Sequence, residues 1–161
     1  MNNNDRINKI LNNEEFKLLK IKLDKLEENR VFCKHDLNHS LDVARIMYIK
    51  SLEENLKFSK DIIYGAALLH DLGRVLQYEN QIPHNEGSAI IAEKILLECD
   101  YSKEEIEIIT KAIKSHRKDS ENADFSKLLY DSDKLSRICF NCSSERECYW
   151  DNNKKNHKII Y

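Results

Sequence analysis

Only three glycines and one proline occur in the 161 residues. So few turn residues argue against a succession of β-hairpins, and the prevalence of Leu, Lys, Glu and Ile at polar-spaced positions favours helices instead. Long apolar runs are missing too. The longest, residues 62–69, is interrupted by Tyr64 and Gly65 and is far too short to span a bilayer. There is no excess of positive charge: the formal net charge is −2, so no basic surface for non-specific binding to a nucleic-acid polymer is expected. The polar start, residues 1–5, carries no apolar export region, and a cytoplasmic protein without membrane partners is expected. In that compartment the five cysteines are thiols or metal ligands rather than disulfides.

What is present is a helical period almost throughout, in a chain 41% hydrophobic and 34% charged. This length suits a single domain over residues 1–161 with one core. Ile7, Ile10, Leu11, Leu18, Leu19, Leu23 and Leu26 form the stripe of an N-terminal helix within residues 1–30. Asp36 or Asn38 caps a second helix bearing Leu41, Val43, Ile46 and Met47. Ser59 caps a third, with Ile62, Ile63, Ala66 and Leu69, and Gly73 marks its end or a tight turn. After Pro83 a fourth helix covers about residues 85–98. Ser102 and Glu105 form a capping box for a fifth, running to Lys114 or His116. Asp124 or Ser126 opens a sixth with Leu128, Leu129, Leu135 and Ile138. The expected fold is an all-α bundle of five to seven helices, followed over residues 139–161 by an irregular, cysteine-bearing tail.

Chemistry concentrates in His39, His70, His84 and His116, which lie where helices or their ends meet apolar sequence. Asp71 follows His70 directly after Ala-Ala-Leu-Leu, and Asp131 and Asp133 sit between Leu129 and Leu135. Burying a carboxylate in such surroundings is costly unless it is paired or bound to a metal. Any one of these histidines alone reads as a satisfied core residue, and Asp36, Asp42, Asp61 and His35 keep such structural readings. The set of imidazoles and carboxylates offers the mixed N/O ligands that divalent Fe, Mn, Zn, Co or Ni accept in open sites.

His39, then His70-Asp71, then Asp133 occur in the order H…HD…D, and on these residues the chain resembles the HD superfamily of metal-dependent phosphohydrolases. Leu-Leu-His-Asp-Leu-Gly-Arg (68–74) looks like its signature helix end, Asn-His-Ser-Leu-Asp-Val-Ala-Arg (38–45) like its first-histidine helix, and Asp-Ser-Asp-Lys-Leu (131–135) like its last motif. The resemblance covers about residues 35–140. His84 in Pro-His-Asn-Glu-Gly-Ser-Ala and His116 in Lys-Ser-His-Arg match the additional ligands of the family's binuclear branch. The branch that hydrolyses cyclic dinucleotides has a second histidine after His116 and a Gly-Tyr-Pro triplet; here Arg117 follows and the triplet is absent.

The resemblance implies two divalent ions held by His39, His70, Asp71, His84, His116 and Asp133, with Asp71 bridging. It implies hydrolysis of a small phosphorylated molecule or nucleotide by a metal-activated water. Arg74 and Lys134 stand within a few residues of these ligands, as phosphate-binding groups or as ordinary ion pairs. Two other readings stay open: some HD proteins with this ligand set hold two irons and oxidise small organic substrates with O₂, and a non-catalytic sensor or binding module is the third. A homo-oligomer is compatible with all three. Separately, Cys139, Cys142 and Cys148 have metal-type spacing, with Cys33 or His157 as a fourth ligand for zinc or an iron–sulfur cluster; otherwise they are thiols packing the tail.

Overall fold

The computed structural model describes residues 5–116 and 124–161, so the asparagines of the polar start and Arg117 lie outside the described residues. Every regular element described is helical: α1 (Asp5–Asn12), α2 (Glu14–Leu26), α3 (Leu37–Glu53), α4 (Lys60–Leu69), α5 (Arg74–Asn80), α6 (His84–Glu98), α7 (Lys103–Ser115) and α8 (Phe125–Leu135), then a single 3₁₀ turn at Cys139–Asn141. The all-α bundle with its cysteine-bearing tail is as expected. Two subdivisions bring the described α-helices to eight. Asn13 turns out of the helix (ψ 130°) and caps α2 by accepting from the Phe16 amide, so the expected N-terminal helix is two. The break rephases the buried face to Phe16, Lys20 and Leu23, leaving Leu18 and Leu26 exposed. The short α5 fills the stretch between Gly73 and Pro83.

Capping follows the sequence closely. Asp36, Ser59 and Asp124 each accept a backbone N–H at the start of α3, α4 and α8. Ser102 and Glu105 form the reciprocal capping box of α7. Helix α8, in contrast, stops at Leu135, so Ile138 is exposed rather than part of its apolar face, and no continuous helix links Asp133 to Cys139.

Helix α4 is the centre of the bundle. It is apolar nearly all round, and Ile63, Gly65, Ala66, Ala67, Leu68 and Leu69 are all buried, as befits a helix surrounded by others. Helices α1, α3, α6 and α7 pack around it, and α8 closes the layer against α3 and α7. Each fully buried Leu or Ile contributes roughly 1.5–3 kcal/mol. The consequence for function is positional: the last turn of the most buried helix delivers His70 and Asp71 to the middle of the protein.

Candidate metal centre

Six side chains meet at the ends of five helices. His39 lies in the first turn of α3, His70 and Asp71 follow the end of α4, His84 opens α6, His116 caps α7, and Asp133 belongs to the last turn of α8. All six are buried. Ligand atoms of His39, His70, Asp71 and Asp133 lie within 4.8 Å of one another, as do those of Asp71, His84 and His116, so Asp71 belongs to both groups. Its Oδ2 is 2.9 Å from His70 Nε2 and 3.5 Å from His39 Nε2. Its Oδ1 is 3.8 Å from His84 Nε2 and 4.0 Å from His116 Nε2. Asp133 Oδ1 is 3.2 Å from His39 Nε2 and 3.8 Å from His70 Nε2.

The imidazoles are oriented from behind. His70 Nδ1 donates to the Ala67 carbonyl at 2.8 Å, and His116 Nδ1 donates to the Ile113 carbonyl. A carbonyl only accepts, so the proton sits on Nδ1 and Nε2 faces the centre, the arrangement in which outer-shell bonds usually hold metal-binding histidines. The His39 Nδ1 lies 3.2 Å from the Ser136 hydroxyl. Asn85 ties the start of α6 to the end of α7 through the Lys114 carbonyl at 2.8 Å, and the Nε2 atoms of His84 and His116 lie 3.2 Å apart.

The donor set fits a divalent transition metal. His70 Nε2 and Asp133 Oδ1 are buried beside charged partners but in no well-formed hydrogen bond, and a cation between them would satisfy both. Burial opposes ionisation of Asp71 and Asp133, yet the surrounding groups together outweigh it, chiefly His70, His35 and Arg74 at Asp71 and His39, His70 and Lys134 at Asp133, so both carboxyls are held well below the usual carboxylate range. Burial likewise disfavours a charged His70, but the same carboxylates push it up to about 9. His116 is pushed down to about 4 by burial and by repulsion from His70. A bound ion would displace the His70 proton and use the carboxylate charge directly.

Around the centre opens a cavity of about 670 Å³, within the range of small-molecule sites. Arg30, Arg74, Lys134 and Arg137 line it. Arg74 Nε donates to Asp71 Oδ1 at 3.1 Å, and Lys134 pairs with Asp133, so both side chains are ion-paired to carboxylates of the His/Asp cluster. Asp131 lies on the cavity wall, paired with Lys127 at 3.3 Å. Two contributors were missed from sequence. Arg137 Nη2 reaches 3.2 Å from His39 Nε2 and 3.6 Å from Asp133 Oδ1; its spacing of four from Asp133 was the available signal. Ser136 carried no signal at all.

His35, read as structural, is a buried and partnered residue. It lines the same cavity, and its Nδ1 lies 2.7 Å from buried Glu27, which also accepts from the His35 amide and the Tyr78 hydroxyl. Lys20, buried on α2, donates to the His35 carbonyl at 2.8 Å. Burial pushes His35 down to about 4 against the opposing pull of Asp71 and Glu27. Between that value and the ordinary 6.5 the unfolded chain binds a proton that the folded chain refuses, so this group removes stability as pH falls through that window. In chelator-treated protein the melting temperature should decline from pH 6.5 towards 4, at up to about 1.4 kcal/mol per pH unit per such proton. His35→Gln should flatten that decline; an unchanged slope would show that His35 stays protonated on folding.

Residues 36–138 match the HD domain family, and the chain belongs to it. It is 50% identical over 157 residues to an uncharacterized protein of Clostridium beijerinckii, covering 98% of this chain and 99% of that protein. It is 31% identical over 113 residues to ribonuclease Y of Mycoplasma mycoides, which covers 70% of this chain but only 24% of that protein. Among solved structures, a predicted HD superfamily hydrolase from an uncultured Thermotogales bacterium superimposes with a TM-score of 0.64 at 23% identity, over 88% of this chain and 79% of that one. That likeness establishes the fold. Among the described residues no helix is long and apolar enough to cross a membrane.

Proposed function

We propose that this HD-domain protein is a metal-dependent phosphohydrolase acting on a small phosphate ester or nucleotide. The observation that carries the reading is the pair of ligand groups sharing Asp71 and opening on a cavity lined by arginine and lysine. His39, His70, Asp71 and Asp133 would hold one divalent ion, and Asp71, His84 and His116 a second. Bound ions of this kind acidify water and neutralise charge on a phosphoryl oxygen. The chain's own groups do the rest. Arg74, Lys134 and Arg137 present cationic donors to phosphate oxygens at the cavity wall, with the arginines suited to bidentate contact. The helix ends hold the imidazoles in one orientation, and burial of the ligand set limits stray water.

Similarity to a protein named ribonuclease Y supports a phosphate ester as the bond class. The net charge of −2 favours small substrates over a polymer.

The test is phosphate release from nucleotides, dinucleotides, simple phosphate esters and a short RNA, by protein loaded with Mn, Fe, Co, Ni or Zn. Turnover of at least one phosphorylated compound, weakened at least tenfold in KM or kcat/KM by Arg74→Ala, is expected. No turnover with any metal, together with oxygen uptake by the iron-loaded protein, would overturn hydrolysis in favour of oxidation. Metal content supplies an independent check. His84→Ala should lower binding from about two ions per chain to about one, and a variant that still binds as wild type would remove the second site.

A further inference from the structure

The cysteines of the tail were assigned nothing by the His/Asp centre, and the fold places them together. Cys139, Cys142 and Cys148 lie on the wall of the large cavity, and Cys33, more than a hundred residues earlier, lines the same wall. All four are half-buried free thiols, whereas Cys99 is buried in the core. The convergence is built by specific bonds. The 3₁₀ turn draws the Cys142 amide to the Cys139 carbonyl at 3.2 Å. The Ser144 hydroxyl donates to the Val31 carbonyl at 3.0 Å, and Arg137 donates to the Lys34 carbonyl at 3.0 Å, so the loop carrying Cys33 is clamped from both sides. Arg30 donates to the Cys33 carbonyl itself at 2.9 Å.

We propose that Cys33, Cys139, Cys142 and Cys148 form a thiolate-bound metal centre, separate from the His/Asp site and forming part of the wall of its cavity.

Soft thiolates select zinc or iron–sulfur clusters over the harder ions that His and Asp accept. A lone zinc with bonds of about 2.3 Å would hold its four sulfurs about 3.8 Å apart. No three of these sulfurs lie within 4.8 Å of one another, so a lone zinc would have to draw them closer, whereas a multi-iron cluster is held by more widely separated thiolates.

The experiment loads full-length protein anaerobically with ferrous iron plus sulfide in one arm and zinc alone in the other. It reads sulfur ligation by X-ray absorption, together with visible absorption and acid-labile sulfide. Sulfur-bound metal is expected in wild type and in Cys99→Ser, and should be lost in Cys33→Ser and Cys142→Ser, while N/O-bound metal at the His/Asp centre persists in all. Labile sulfide with visible absorption identifies a cluster; sulfur ligation without it identifies zinc. Because Cys→Ser barely changes volume, a far-UV spectrum and melting curve suffice to show folded variants. Absence of sulfur-bound metal from wild type in both arms overturns the proposal. Undiminished sulfur ligation in Cys33→Ser overturns the four-cysteine assignment. Neither result bears on phosphate release, so failure here and failure of the hydrolase reading are distinguishable.

Discussion

Asp71→Ala is expected to reduce phosphate release by about three orders of magnitude or more, while the far-UV helical spectrum stays close to wild type. The carboxylate reaches toward both ligand groups, 2.9 Å from His70 and 3.8 Å from His84. Its loss leaves the first group short of one ligand and the second with two histidines. Metal catalysis contributes several kcal/mol to stabilising developing charge, and each 1.36 kcal/mol is a factor of ten. The fold should survive because α4 is held by the buried Ile63, Leu68 and Leu69 rather than by the carboxylate. Removing the charge also leaves the raised His70 without its nearest anion, so its pKa falls and its neutral form is favoured. Paired measurements of turnover and metal content check this. Near wild-type turnover in a variant lacking bound metal would place the chemistry elsewhere.

The largest effect on stability is expected from Gly73→Ala. Gly73 has ordinary helical dihedrals (φ −65°), so conformational freedom is not what the position requires. Space is: an added Cβ would stand 2.1 Å from the Ser88 nitrogen and 2.2 Å from the His84 carbonyl oxygen, both backbone atoms. The same close approach lets the Gly73 amide donate to the Ser88 hydroxyl at 2.8 Å. Relief of the clash requires α6 to move away from the turn after Asp71, and a cost of at least about 3 kcal/mol, or about 10 °C in melting temperature, follows. Because α6 opens with His84, the second ligand group should lose metal before the first. A thermal melt and a metal titration of the same variant test both halves, and a wild-type melting temperature would show that the turn yields freely.

The His/Asp grouping was legible in the sequence because its chemistry contradicts its surroundings. An ionisable pair directly after a helix that is apolar on every side has few reasons to be there. His39 and His84 stood out at helix starts marked by Asp36 and Pro83, and His116 and Asp133 near helix ends. Less was legible where structure depends on partners far along the chain. Asn13 favours a cap over a helix interior and was the available signal, but Ile10, Leu11, Leu18 and Leu19 keep a helical spacing across it, so the split between α1 and α2, and with it the burial of Lys20 and Glu27, left no periodic trace. The end of α8 was obscured similarly. Leu135 and Ile138 continue its spacing, but the Asn156 side chain, 19 and 22 residues away, takes the Arg137 and Lys134 carbonyls at 2.8 and 2.7 Å and so satisfies the chain beyond the helix. The tail lacks an apolar stripe and is fastened by polar contacts of this kind, which composition does not announce.

The means by which the histidines are aimed has a genetic consequence. His39 leans on a hydroxyl, and a single codon change at Ser136 takes that support away. His70 and His116 lean on the main-chain oxygens of Ala67 and Ile113, which every amino acid possesses. In a saturation library, positions 67 and 113 should therefore sort substitutions by bulk and apolar character, as any core position does, with no need to replace a lost hydrogen-bond partner. Position 136 should sort them by the ability to meet a ring nitrogen. Two of the imidazoles are thus sheltered from point mutation of their supports, and the third is the place where inheritance can retune the centre one residue at a time.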